Sequence, residues 1–113
     1  MHEFGITESL VRIVEEKARE AGVTKVTTIR VVIGALTGFV PESIEFYYDR
    51  MSRNTVAEGA KLEFEELPAT LRCRTCGHVF TPQERHWDCP SCASSEVDIE
   101  GGRELYVKEM EVS

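Results

Sequence analysis

The chain has 113 residues, of which 42% are hydrophobic and 29% charged, and its net charge is −7. This length suits one compact domain with at most a small appendage. Because Lys and Arg form no run in an acidic chain, the composition argues against nucleic-acid binding and favours cations or basic partners. No apolar stretch is long enough to span a membrane, and the start lacks a signal-peptide pattern. We therefore expect a cytoplasmic protein without membrane partners.

The first segment is predicted to be an amphipathic helix of about four turns. Its apolar residues recur at helical spacing: Ile6, Leu10, Ile13, Val14 and Ala18. Thr7 or Gly5 is a candidate cap at its start, and Gly22 is well placed to end it. The stretch Val23 to Ile33 is rich in β-branched residues and predicts a strand.

A second helix and two more strands follow from the same patterns. Pro41 suits the first turn of a helix, after a turn over residues 34–38. Ile44, Tyr47, Tyr48 and Met51 would share one face of that helix. Lys61 to Leu67 and Glu104 to Val112 alternate as strands do. The order helix, strand, helix, strand, insert, strand predicts an α+β fold, with two helices packed on a small three-stranded sheet.

The inserted segment differs in composition from the rest of the chain. Residues 68–101 are rich in Cys, Thr, Ser and Pro and have few aliphatic side chains, so they cannot bury a core unaided. We predict two domains: residues 1–67 plus 102–113 form the main one, and 68–101 form an inserted metal-binding one.

Four cysteines in two Cys-x-x-Cys pairs predict a metal site in this insert. The pairs are Cys73 with Cys76 and Cys89 with Cys92. In a reducing compartment such pairs are typical of metal ligands rather than disulfides. Four thiolates close a tetrahedral shell, which indicates structural zinc, because a catalytic zinc keeps an open position. A rubredoxin-like iron site is the alternative.

Three aromatic side chains flank the cysteines. His78 and His86 are predicted to lie at the surface or behind the metal ligands, although either could replace a thiolate. Trp87 is expected to pack over the two cysteine turns. The zinc-ribbon-like module is acidic, so protein contact is a better prediction for it than contact with DNA or RNA.

Met1, His2 and Glu3 offer a second candidate metal site. The terminal amine, the amide nitrogen of His2 and its imidazole can close two chelate rings on one ion. Planar nitrogen ligation favours Ni(II) or Cu(II). Glu3 could add its backbone nitrogen or its carboxylate. The alternative is an ordinary chain terminus, which would leave a zinc-ribbon module for protein interaction. Nucleotide, nucleophile and metalloprotease motifs are absent, so we expect no enzyme.

Taken together, these motifs resemble one family over essentially the whole chain. The residues that carry the resemblance are MHE at the start, GALTGFVPESIEF from Gly34 to Phe46, the two cysteine pairs and the closing EGGRELYVKEMEV. In this order they resemble the HypA family of nickel metallochaperones for hydrogenase maturation.

The resemblance implies a fold, two metals and partners. It implies a nickel-binding domain of two helices on a three-stranded sheet, interrupted by a zinc domain before the last strand. Nickel would be held by Met1, His2 and Glu3, with His2 essential, and structural zinc by the four cysteines. Nickel would go to the precursor of the [NiFe]-hydrogenase large subunit, with a maturation GTPase as collaborator. In some bacteria the family also serves urease.

Overall fold

The secondary structure consists of two α-helices, a short 3₁₀ helix and six strands in the part of the chain that is described. A computed structural model describes residues 2–84 and 86–113, and His2 through its backbone alone. In chain order the elements are α1 (His2–Ala21), β1 (Val26–Gly34), a short 3₁₀ helix (Ala35–Thr37), α2 (Pro41–Met51), β2 (Lys61–Leu67), β3 (Thr70–Cys73), β4 (Val79–Phe80), β5 (Val97–Gly101) and β6 (Leu105–Val112). The predicted α+β class, with two helices and a zinc-ribbon-like module, is confirmed.

Helix α1 begins earlier than the capping prediction placed it. It starts at His2, so neither Gly5 nor Thr7 caps it. The Thr7 hydroxyl instead donates a hydrogen bond to the backbone carbonyl of Glu3 inside the first turns. The end was predicted correctly. Gly22 has φ +70°, and the amides of Gly22 and Val23 bond the carbonyls of Arg19 and Ala18. These two bonds form a Schellman motif.

The buried stripe of α1 is shifted from the predicted one. Its buried side chains are Thr7, Leu10, Val11, Val14 and Ala18, whereas Ile13 is exposed. The spacing 7, 10, 11, 14, 18 keeps a single narrow face toward the core, and Ile13 lies off that face. Periodicity therefore identified the helix, but packing decided which of its apolar residues are buried.

Strands β2, β1 and β6 form one sheet, in that order. Strand β1 starts three residues later than predicted, because Val23 belongs to the end of α1. The Gly34 amide bonds the Glu104 carbonyl, and the Ser113 amide bonds the Lys25 carbonyl, so β1 and β6 are antiparallel. In α2, Pro41 occupies the first turn as predicted, and Ile44 and Tyr48 are buried.

The cysteine-rich segment carries a sheet that the sequence did not predict. Strands β4, β3 and β5 are antiparallel neighbours in that order. Leu71 of β3 lies opposite Phe80 on one side and Ile99 on the other, and it is fully buried. The strands are two to five residues long, too short for alternation to be recognised.

The chain divides into two compact units. One contains residues 1–32, 39–65 and 106–113, and the other contains residues 33–38 and 66–105. The assignment of 68–101 to a separate zinc-binding domain stays a prediction. In the part of the chain that the structure describes, neither helix has the length and apolar character needed to cross a bilayer.

Candidate metal centres

Each cysteine pair sits in a turn of the same geometry. In the first turn, the Gly77 amide bonds the Cys73 carbonyl at 2.9 Å, and the Cys73 amide bonds the His78 carbonyl at 2.9 Å. Gly77 has φ +78°, which glycine adopts without a steric cost. These bonds fold the backbone around the sulfurs and orient both side chains toward one point.

The second turn repeats this pattern residue by residue. The Ala93 amide bonds the Cys89 carbonyl at 2.8 Å, and the Cys89 amide bonds the Ser94 carbonyl at 2.8 Å. Ala93 occupies the position equivalent to Gly77 and has φ +64°. A non-glycine residue in this conformation is strained by about 1–2 kcal/mol, so the bonds of the turn must offset that cost.

The two turns bring all four sulfur atoms together. They lie within 4.8 Å of one another, with Cys73 3.5 Å from Cys92 and Cys76 3.6 Å from Cys89. A tetrahedron with zinc–sulfur bonds of about 2.3 Å has sulfur–sulfur edges of about 3.8 Å. The cluster therefore fits zinc. Four thiolates of this geometry also accept iron, so the spacing alone does not select between the two metals.

The environment of the thiols favours a bound cation. The amides of Cys76 and Thr75 lower the pKa of Cys73 to about 6. The Ser94 amide also lowers the pKa of Cys92, but the neighbouring Cys73 sulfur and burial outweigh it and raise that pKa to about 12. One thiolate thus forms readily, and its charge opposes the next. A divalent metal removes this opposition, because it stabilises every thiolate at once.

The two histidines of this unit lie outside the sulfur cluster. Among the described residues, only the four cysteines form a group of three or more potential metal ligands. His78 is exposed and stacks on Phe80, with ring centroids 5.9 Å apart, and His86 is exposed. Trp87 is also exposed, at 39%, so the prediction that it packs as a core residue is wrong. The cysteine turns are held by backbone hydrogen bonds instead.

The amino-terminal tripeptide is described in part. Met1 and the side chain of His2, both predicted nickel ligands, lie outside the described residues. The backbone of His2 is the first residue of α1, and Glu3 follows in its first turn. The first amide groups of a helix have no acceptor within the helix. The amide nitrogens of His2 and Glu3 are therefore not committed to the hydrogen bonds of α1.

The Glu3 side chain bonds the start of the second helix. Its carboxylate accepts the Val40 amide at 3.1 Å, and Val40 is the residue that precedes α2. This hydrogen bond lowers the pKa of Glu3. Val40 also has no side-chain cap of its own, so the Glu3 carboxylate supplies the negative charge that a helix start favours. Val40 could not be predicted as a partner of Glu3, because a backbone donor leaves no signal in residue type.

Known proteins similar in sequence to this chain all belong to one family in the comparisons that follow. The profile of the HypA family, described as hydrogenase/urease nickel incorporation metallochaperones, matches residues 1–112. A hydrogenase maturation factor HypA from Caldanaerobacter subterraneus is 43% identical over 113 residues, covering 99% of both chains. Another, from Dehalococcoides mccartyi, is 39% identical over 112 residues, covering 99% of this chain and 94% of the relative.

Solved structures agree with the sequence relatives. The solution structure of the Ni metallochaperone HypA from Helicobacter pylori superposes with a TM-score of 0.72 at 25% identity, covering 97% of this chain and 96% of that one. A second solution structure of a HypA protein gives a TM-score of 0.78 at 26% identity, covering 100% and 97%. The likeness therefore extends over both units of the chain.

Proposed function

Because this chain belongs to the HypA family of nickel-incorporation metallochaperones, we propose that it binds Ni²⁺ at its amino terminus and delivers it during hydrogenase maturation. The receiver is the precursor of the [NiFe]-hydrogenase large subunit, and a maturation GTPase is the collaborator. The observation that carries the proposal is the family match over residues 1–112, which includes the terminal tripeptide. The chain acts as a carrier and not as an enzyme, in the cytoplasm, where its thiols stay reduced.

We assign the two metals to different parts of the chain. Residues 1–67 and 102–113 form the nickel-binding domain, and 68–101 form the zinc-binding domain. Zinc on Cys73, Cys76, Cys89 and Cys92 is structural, because four thiolates leave no open coordination position. A cargo ion needs a site that can open, and we therefore assign nickel to the other candidate site, Met1, His2 and Glu3.

A helix start suits a metal that must leave. Four nitrogens can be supplied here without breaking a backbone hydrogen bond within α1: the amine of Met1, the amides of His2 and Glu3, and the His2 imidazole. The positive end of the helix dipole opposes a nearby cation by about 0.3–1 kcal/mol. Protonation of the amine or the imidazole releases the ion further. The helix dipole and ligand protonation thus limit the nickel affinity of this site, which favours transfer of the ion.

Glu3 has a divided role in this proposal. Its carboxylate accepts the Val40 amide and also the amide of Glu3 itself, so nickel ligation by that backbone nitrogen would replace the second of these hydrogen bonds and keep the first. The carboxylate then fixes the first turn of α1 to the start of α2, which orders the ligands around the metal. The alternative left open by the sequence, carboxylate ligation, would require this hydrogen bond to break.

Nickel titration of protein with a native terminus tests the proposal. We expect His2→Ala to lose nickel binding in calorimetry and to keep its zinc, as measured by elemental analysis. His86→Ala removes an exposed imidazole elsewhere and is the matched control, expected to bind nickel normally. Equal nickel affinity in His2→Ala and the parent would refute the terminal site. A chain that takes up no nickel beyond its zinc would instead be a zinc-ribbon interaction module.

A further inference from the structure

The four cysteines differ in their exposure to solvent. Cys76 and Cys92, the second cysteine of each turn, are exposed. The first cysteine of each turn is buried: Cys73 is 1% exposed and Cys89 is 2% exposed. The amide and the carbonyl of each buried cysteine are bonded to residues later in its own turn, which holds it on the inner side. A small oxidant in solution therefore reaches two of the four sulfurs and not the other two.

Each exposed cysteine lies beside the buried cysteine of the other turn. The sulfur atoms of Cys73 and Cys92 are 3.5 Å apart, and those of Cys76 and Cys89 are 3.6 Å apart. A disulfide bond is about 2.05 Å long, so a movement of about 1.5 Å joins either pair. Both contacts run between the two turns. The cluster therefore contains two pairs of neighbouring sulfurs, each with one accessible member and one buried member.

This arrangement suits oxidation by hydrogen peroxide. Thiolates that bind a metal are deprotonated, and accessible thiolates are the ones that peroxide oxidises. The thiolate sulfur attacks one peroxide oxygen, the O–O bond breaks, and a sulfenic acid and hydroxide form. The neighbouring thiolate then attacks the sulfenic sulfur, an S–S bond forms, and the S–O bond breaks to release hydroxide. In total, two thiolates lose two electrons to one peroxide, which is reduced to two hydroxide ions.

We propose that the exposed cysteines, Cys76 and Cys92, are sites of oxidation by hydrogen peroxide and that this oxidation releases the zinc. The buried cysteine of the other turn resolves each sulfenic acid, which gives the disulfides Cys73–Cys92 and Cys76–Cys89. Once either disulfide has formed, only two thiolates remain, too few for a closed shell of four sulfurs. A reducing cytoplasm restores the thiols when peroxide is gone. The inference goes beyond the proposed function, because it requires no nickel and depends only on the zinc assignment made there.

Oxidation of the zinc-loaded chain with hydrogen peroxide tests this assignment. We expect loss of zinc, measured with a colorimetric chelator against a peroxide-free sample, and both disulfides in non-reducing peptide mapping by mass spectrometry. Trypsin cuts after Arg74 and so separates Cys73 from Cys76. Fragmentation of the peptide that holds both Cys89 and Cys92 locates the other half of each bond. The same chain oxidised in guanidinium chloride is the control and should give a mixture of the three possible pairings.

Two serine variants test the difference in exposure, because they break the same pair from opposite sides. In Cys73→Ser the exposed Cys92 has no resolving thiol, so excess peroxide should oxidise it further to the sulfinic acid. In Cys92→Ser the buried Cys73 should stay a thiol. Elemental analysis measures the zinc content of both variants first; a variant without zinc is set aside, and the disulfide map of the parent chain then decides.

Three results overturn the proposal. They are zinc that stays bound at peroxide concentrations that oxidise free cysteine, zinc release without the two stated disulfides, and equal oxidation of Cys92 and Cys73 in the two zinc-loaded variants. A parent chain that carries no zinc overturns the zinc assignment instead, and its disulfide map still tests the pairing.

Discussion

Removing the metal from the four cysteines should unfold one unit of the chain and spare the other. Between Glu66 and Leu105, the buried hydrophobic side chains among the described residues are Leu71, Cys73 and Cys89. Burying a leucine contributes about 1.5–3 kcal/mol. Structural zinc contributes about 10–16 kcal/mol of apparent binding free energy at neutral pH. The free energy from metal binding is several times larger than that from burying the leucine, so strands β3, β4 and β5 should not persist without the metal.

Amide hydrogen exchange measures the two units separately. After chelation, with metal loss verified by elemental analysis, we expect rapid exchange at Leu71 and Ile99 and continued protection at Ile29 and Val31. Far-UV circular dichroism should keep its helical signal, because α1 and α2 lie in the other unit. The chain's single tryptophan, Trp87, lies in the unit that contains the cysteines and reports on it by fluorescence.

Two results would refute this reasoning. The first is metal-free protein that retains slow exchange at Leu71 and Ile99, which would show that the short strands are stable on their own. The second is simultaneous loss of protection at Ile29, which would show that the metal stabilises the whole chain. A Cys76→Ser/Cys92→Ser variant provides the control without chelator, and zinc added back should restore only the chelated parent.

Three residues give two further predictions. Gly34→Ala should lower the free energy of unfolding by about 1–3 kcal/mol in denaturant titration, because a methyl group there would overlap the Gly102 carbonyl oxygen. Gly5→Ala is the matched control; it has open space around it and should stabilise by about 1 kcal/mol, and a loss at this position would contradict the helix at the chain start. The hydrogen bond to Glu65 raises the pKa of Lys108. The stability that this interaction adds is therefore fully present below the ordinary lysine pKa, and it is lost as pH rises through the pKa of Lys108 in the folded protein. The stability difference between the parent and Lys108→Met should therefore be constant at lower pH and shrink as pH rises above 10.5; a difference that grows there would reverse the assigned sign.

Local patterns predicted the elements that are long and regular. The period of the apolar residues gave both helices, Gly22 gave the end of α1, and Pro41 gave the start of α2. These features depend only on neighbouring residues within one or two turns, so the local sequence is enough to predict them. The Cys-x-x-Cys spacing likewise predicted that the two cysteines of each pair share one turn, because each turn is closed by hydrogen bonds within six residues.

Contacts between distant segments were not predictable in the same way. The Val40 amide reaches the Glu3 carboxylate across 37 positions, and any residue except proline could provide that donor. Position 34 must be glycine because the backbone of Gly102 approaches it too closely for a side chain. Nothing in the sequence around either glycine shows that the two are in contact. Two features depend on how α1 and α2 face each other: the exposure of Ile13 and the contact of the Phe4 ring with the Tyr47 ring.

The sequence by itself determined the family, the order of helices and strands around the insert, and the four cysteines as candidate metal ligands, because each of these is written in residue type and local spacing. Tertiary structure alone decided that the Glu3 carboxylate accepts the Val40 amide before α2, that the Phe4 ring of α1 meets the Tyr47 ring of α2, and that the cysteine-rich segment contains a small sheet. Those arrangements arise when segments far apart in the chain pack together, and pairing of backbone groups at such distances leaves no trace in the order of side chains.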